Sequence, residues 1–141
     1  GMPKGVKLCH RNVIKRAQGT IIRNNLNNNE ISLNWMPLDH VGGIVMFHIL
    51  DTINRAQQIH VETNEILRNP LNWLIYLDRY KATLTWAPNF AYGLIIEHSK
   101  EISKLYISLD NLKFILNGGE AINYNACHEF LIILYRLNQN Y

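Results

Sequence analysis

The chain has 141 residues, a length that fits one domain or one lobe of a larger one. Hydrophobic residues make up 48% and charged residues 18%, a balance that argues against disorder. The net charge of +3 is a mild excess scattered along the sequence, not the basic stripe of a nucleic-acid binder.

The nearest approach to a basic cluster is Lys7, Arg11, Lys15 and Arg16, which falls on one side of a helix and reads as a solvated face. No apolar run is long enough to span a bilayer; residues 41–50 are too few and include His48. The N-terminus lacks an apolar secretory core, and two cysteines far apart, Cys9 and Cys127, read as packed, reduced thiols. A cytoplasmic location is the expectation. The asparagine runs at 24–25 and 27–29 read as surface loop.

In chain order, the spacing of Leu8, Val13, Ala17 and Ile21 predicts a helix over residues 6–22, bounded by Pro3 and Gly5 before it and the asparagine loop after it. Residues 31–38 read as a strand closed by Pro37. Residues 41–54 read as a helix apolar nearly all round, and therefore interior. A weaker strand is predicted at 57–61. A long amphipathic stretch follows from Asn64, broken at Pro70, with Leu71, Leu74, Ile75 and Leu77 turned to a core. Residues 83–86 are β-rich and stopped by Pro88, 90–98 form a helix, and 108–111 a turn. Residues 113–116 make the clearest strand, and the last helix covers about 121–137. Strands separated by helices predict an α/β fold with a mainly parallel sheet and flanking helices. Ligands of such sheets bind beyond the carboxyl ends of the strands, which selects the loops after Leu38, Trp86 and Leu116.

Three features occupy or precede those loops. Asn117-Gly118-Gly119-Glu120 runs from strand to helix, where paired glycines permit close backbone approach or positive φ and a helix start receives negative charge. Pro37-Leu38-Asp39-His40-Val41-Gly42-Gly43 puts a histidine at the mouth of the sheet before an apolar helix. Gly1-Met2-Pro3-Lys4-Gly5-Val6 combines glycines with a lysine but does not match the G-x-x-x-x-G-K-[ST] nucleotide loop. Taken singly, each reads as an ordinary turn, cap or terminus.

In this order and at these spacings, the three together resemble the adenylate-forming family of acyl-CoA synthetases, luciferases and nonribosomal-peptide adenylation domains. The first segment resembles the end of the family's phosphate loop, T-G-x-P-K-G-V. Cys9-His10-Arg11-Asn12 resembles the T-H-x-N that opens the next helix. Leu38-Asp39-His40-Val41-Gly42-Gly43 resembles the P-L-x-H-x-x-G segment lining the acyl pocket. Trp86-Ala87-Pro88 resembles the strand end before the next pocket helix, and residues 115–121 the Gly-rich strand end flanking the adenine.

The resemblance implies a partial N-terminal subdomain covering residues 1–141, from the end of the phosphate loop to just past the Gly-Gly-Glu segment. It also implies Mg-ATP as cofactor, a small-molecule carboxylic acid as substrate, and coenzyme A or a carrier protein's phosphopantetheine as thiol acceptor. By resemblance His40 is the catalytic residue beside the reacting carboxylate. Lys4, Gly5, Gly118, Gly119 and Glu120 bind the nucleotide, while Asp39, Gly42, Gly43 and Trp86 line the acyl pocket. No metal ligand is expected from the protein, and neither nucleic acid nor membrane is an expected partner.

The departures carry expectations too. The hydroxyl-rich first half of the phosphate loop, the Y-G-x-T-E motif, the ribose-binding aspartate and the lobe with the catalytic lysine do not occur, so the chain is expected to be an inactive fragment in isolation. Leu38-Asp39 stands where the amino-acid branch has Phe-Asp, which disfavours an amino-acid substrate although Asp39 keeps it open. Two rivals stand beside this reading: a non-catalytic nucleotide-binding or interaction module, and an unrelated α/β domain binding metal through Cys9-His10 and Cys127-His128. The second lacks any C-x-x-C or H-E-x-x-H spacing. A Ser-His-Asp hydrolase is opposed by the lack of a G-x-S-x-G elbow.

Overall fold

A computed structural model of the chain describes residues 2–138. It contains four short parallel strands, β1 (Ile31–Asn34), β2 (Gln57–His60), β3 (Leu84–Ala87) and β4 (Phe114–Asn117). Their order across the sheet is β2-β1-β3-β4. The helices are α1 (His10–Arg23), α2 (Leu50–Asn54), α3 (Thr63–Arg68), α4 (Leu71–Arg79), α5 (Asn89–Glu97), α6 (Ser99–Ile102) and α7 (Tyr124–Asn138), with a π-helical segment Gly42–Ile49 running directly into α2. The chain leaves β1 for β2 on one side, then crosses back to β3 on the other. That reversal places the topological switch point between β1 and β3, where open α/β sheets bind ligands.

Alternation along the strands divides the interior. Leu33 and Ala87 join the larger core with Trp73, Leu74 and Leu77 of α4, Tyr92 and Ile95 of α5, and Phe130, Ile133 and Leu137 of α7. Leu84 instead joins a smaller cluster with Ala17 of α1, Leu26 and Leu50, beside Ile21 and Phe114. The large core is organised around stacked rings: Trp73 lies parallel to Tyr92 and to Phe130, whose own centroids are 4.5 Å apart. One hydroxyl pairs polar atoms across this region, while the buried Trp35 Nε1 has no hydrogen-bond partner among the described residues. Thr85 Oγ1 accepts from Trp73 Nε1 at 3.0 Å and donates to the Leu33 carbonyl at 3.0 Å, fixing α4 against two strands.

Several sequence expectations need correction. Helix α1 begins at His10, not residue 6, because Asn12 accepts from both the Cys9 amide and its thiol and so caps the helix there. Lys7 and Leu8 therefore precede the helix, and Leu8 is exposed. The predicted solvated basic face holds for Arg11 and Lys15. Arg16 turns inward to donate to the Met46 sulfur, and burial depresses its pKa. Cys9 is exposed and free, so it is not a packed thiol; Cys127 is free and half-buried. The helix after His40 is not wholly interior: Gly42, Gly43, Phe47 and Leu50 are buried, but Val41 and Ile44 face solvent.

β1 ends at Asn34, four residues before the predicted boundary. The Asn34 side chain accepts from the Met36 amide and donates to the Met36 carbonyl, turning the chain out of the sheet. The stretch over 64–77 is two helices, α3 and α4, with Pro70 at the junction, and α6 is an extra turn after the predicted 90–98 helix. The final helix starts at Tyr124 rather than 121. No helix among the described residues is long and apolar enough to cross a membrane.

An ion pair ties the end of the asparagine loop to the start of β4. Glu30 is 1% exposed, and both of its carboxylate oxygens lie 3.0 Å from Lys113 Nζ. Burial acts to raise the Glu30 pKa, but the Thr83 hydroxyl and the Lys113 ammonium outweigh it and hold the carboxyl below its ordinary value.

Candidate functional site

The carboxyl ends of β1, β3 and β4 converge on the indole of Trp86, which is buried next to the end of β3. His40, from the loop between β1 and the π-helical segment, stacks on that indole with ring centroids 6.2 Å apart and 25° between planes. A Cβ at Gly42 would stand 2.6 Å from the Trp86 ring, so only glycine lets this segment lie against the indole. A Cβ at Gly43 would overlap the backbone carbonyl oxygen of Pro37. Gly118 and Gly119 border the same indole, with Cβ positions 3.4 Å from Trp86 Nε1 and 3.9 Å from Cζ2. Gly119 has φ +88°, a conformation that favours glycine.

His40 is exposed, and its Nδ1 accepts the Gly42 backbone N–H at 3.0 Å. With Nδ1 serving as acceptor, the proton of the neutral ring is on Nε2, the nitrogen left to donate to a ligand. The sequence thus brings His40, Gly42, Gly43, Trp86, Gly118 and Gly119 to one place. Asp39, in the same loop, is exposed and makes no hydrogen bond or ion pair with a described residue. Lys4 and Gly5 lie in the exposed stretch before α1. A Cβ at Gly5 would meet nothing within 4 Å, and the structure does not join these two residues to the Trp86 group.

Glu120 is spent on the protein itself. Its carboxylate accepts the Asn89 backbone N–H at 3.0 Å, capping α5 behind Pro88, which has no N–H to offer. Sequence reasoning gave no role in this site to Asn89, Asn117, Asn123 or Cys127, which surround this contact; Asn117 was read only as part of the strand-to-helix turn and Cys127 as a packed thiol or rival metal ligand. Asn89 Oδ1 accepts from Asn117 Nδ2 at 2.7 Å and from the Asn123 amide at 3.0 Å, while Asn89 Nδ2 donates to the Ala121 carbonyl at 2.7 Å. Asn117 Nδ2 also lies 3.1 Å from Cys127 Sγ, and Asn117 Oδ1 is buried without a partner. The available signal was position: Asn89 follows the loop after Trp86, and Asn117 ends β4. Tyr92 donates to the Leu116 carbonyl at 3.2 Å, and burial raises its pKa.

Among the described residues no group of three or more His, Cys, Asp or Glu side chains is placed to hold a metal ion. What the arrangement offers is a buried indole covered by His40 and Gly42 and bordered by the Gly118-Gly119 backbone, with His40 itself exposed at the edge.

The family model described as AMP-binding enzyme matches residues 1–141. The chain is 31% identical to the microperfuranone synthase of Emericella nidulans over 86% of its own length and 13% of that protein. It is 30% identical to an atromentin synthetase of Suillus grevillei over 99% of its length and 15% of that protein. Among solved structures, it matches the adenylation domain of a keto acid-selecting NRPS module bound to keto acyl adenylate, with TM-score 0.92 and 42% identity, covering 97% of this chain and 25% of that one. It also matches the A-PCP structure of McyG complexed with phenylalanyl-adenylate, with TM-score 0.94 and 39% identity over 98% and 22%. The chain thus spans between about an eighth and a quarter of the length of these relatives. By sequence and by fold, the chain belongs to the adenylate-forming AMP-binding enzyme family.

Proposed function

We propose that this chain forms the acid- and nucleotide-facing part of an enzyme that activates a carboxylic acid with ATP. The observation that carries the reading is the convergence of His40, Gly42, Gly118 and Gly119 on Trp86 at the β1/β3 switch point, within a family match over the whole chain. In the first step a carboxylate oxygen attacks the α-phosphorus; an O–P bond forms, the bond to the β-phosphate oxygen breaks, and pyrophosphate leaves. In the second, a thiol sulfur attacks the acyl carbon and AMP departs. Coenzyme A or a carrier protein's phosphopantetheine is the acceptor in this reading; the A-PCP relative is consistent with the latter.

His40 Nε2–H is the donor assigned to the carboxylate, oriented through Nδ1 by the Gly42 amide. Gly118 and Gly119 let the backbone meet the nucleotide, with Glu120 acting through the loop it holds rather than through its side chain. Trp86, Gly42 and Gly43 shape the acyl wall beside Asp39, and Lys4 and Gly5 reach the β- and γ-phosphates. Magnesium would arrive on the phosphates, since the described residues form no cluster for it, and would offset their charge.

The chain supplies a minority of the length of its relatives, so catalysis is assigned to the assembled enzyme and not to this piece by itself. ATP–pyrophosphate exchange with a panel of carboxylic acids tests both parts. The purified chain is expected to give no exchange above background. Exchange abolished by Lys4→Ala or His40→Ala would show that the piece is itself catalytic and overturn the assignment to a larger assembly.

A further inference from the structure

The loops that follow β3 and β4 come from segments about thirty residues apart, yet one side chain joins them. Asn89 engages its backbone N–H and both polar atoms of its side chain with the end of β4 and the β4–α7 connection. Its backbone N–H goes to Glu120, its Nδ2 to the Ala121 carbonyl, and its Oδ1 to both the Asn123 amide and Asn117 Nδ2. Two of these partners fix the amide orientation. A backbone N–H requires an oxygen opposite it, and a carbonyl requires the NH₂ group. Asn117 must then present its own NH₂ to Asn89, leaving its carbonyl oxygen without a protein partner. These bonds bracket Gly118 and Gly119 on both sides, at Asn117 and at residues 120–123.

The two glycines gain little from local geometry. Gly119 is in the left-handed region, neither residue has a side chain to pack, and β4 has a sheet partner on one side in β3. What holds this turn against Trp86 is therefore the asparagine from the neighbouring loop. We infer that Asn89 is the positioning residue of the site, setting the Gly118-Gly119 backbone at the height where the Trp86 wall and the nucleotide meet. Asn89 touches neither in this assignment. It acts through Asn117, Glu120, Ala121 and Asn123, and the inference rests on the nucleotide-facing role proposed for the glycine turn.

Two measurements on the 141-residue chain separate this inference from that role. The first is amide hydrogen exchange on wild type, Asn89→Ala and Asn89→Asp, which needs no ligand. In Asn89→Ala the Asn123 amide, which donates to Asn89 Oδ1, is expected to exchange at least ten-fold faster, while β1, β3 and α4 keep wild-type protection. Asn89→Asp retains the oxygen that accepts from Asn117 and Asn123 but loses the donor to Ala121, and it is expected to fall between the two. Unchanged exchange at Asn123 in Asn89→Ala, or loss of protection spread evenly over the sheet, would overturn the inference. The second is calorimetric titration with a non-hydrolysable ATP analogue. If wild type binds, Asn89→Ala is expected to weaken binding at least five-fold, with partial recovery in Asn89→Asp; equal affinity in all three would overturn the positioning role. If wild type does not bind, the nucleotide reading of this chain fails, and the exchange data still decide whether Asn89 holds the turn.

Discussion

Glycines in this chain differ sharply in what they accommodate, and the difference is measurable one residue at a time. At Gly42 an added methyl meets a buried indole, and at Gly43 a backbone carbonyl that cannot swing aside. Gly42→Ala is expected to lower stability by about 1–3 kcal/mol, the usual range for overpacking, and Gly43→Ala by more. Gly19, within α1, has open space around it, and Gly19→Ala should raise stability by about 0.5–1 kcal/mol through helix propensity. Urea unfolding of the three variants checks the order.

Asp51 offers a second test at this scale. It is fully buried, accepts from Ser32 Oγ at 2.9 Å, and has its other oxygen unpartnered. Burial raises its pKa to about 7, against lowering by the Ser32 hydrogen bond and the nearby His48. A raised carboxyl pKa means the folded state holds the proton more tightly. Its contribution is complete below the unfolded value near 4 and is lost as pH rises through about 7. The stability of wild type relative to Asp51→Asn should therefore decline between pH 4 and pH 7, by at most about 1.4 kcal/mol per pH unit. A difference that stays flat or grows over that window contradicts the assignment. Glu30, whose pKa is depressed, acts in the opposite direction and at lower pH, so its contribution is lost on acidification.

At the scale of elements, the stacked rings of α4, α5 and α7 bind three helices to one face of the sheet. Removing their centre in Trp73→Ala deletes two ring stacks and the hydrogen bond to Thr85, and should cost about 3–5 kcal/mol. Chemical denaturation measures the loss. The same elements show what the sequence made legible. β3 and β4 were found to within a residue, because a short β-rich run ending at Pro88 or at Gly118-Gly119 admits few other readings. β1 was overrun by four residues because Trp35 and Met36 look like strand, whereas the Asn34 side chain diverts the backbone. The π-helical turn over Gly42–Ile49 was not foreseeable from apolar spacing, since its apolar run has no marked period and its geometry follows from tertiary crowding at Trp86 and Pro37.

Across the whole molecule, the parallel sheet and the pocket-facing ends of its strands follow from the alternation of strand and helix, and the family follows from motif order. Four of the predicted site residues, His40, Gly42, Gly118 and Gly119, meet at a fifth, Trp86, each announced by a glycine, a histidine or a strand end. Asn89 was given no role, and Asn117 was read only as the start of the glycine turn, because asparagine is common here and looks like loop filler. Their role depends on contacts across about thirty residues, which local pattern does not encode. Lys4 and Gly5 show the converse: their motif was readable, but the structure does not tie them to the other site residues.

Titration of the folded chain with a non-hydrolysable acyl-adenylate analogue, followed by NMR of the Trp86 indole N–H and the Gly118 and Gly119 amides, tests whether this cluster faces the adenylate. Saturable shifts are expected, concentrated at His40, Trp86, Gly118 and Gly119, with smaller changes on the far side of the sheet at α4 and α7. A folded sample whose signals do not move, or move elsewhere, would contradict the assignment of this cluster as the adenylate-facing site.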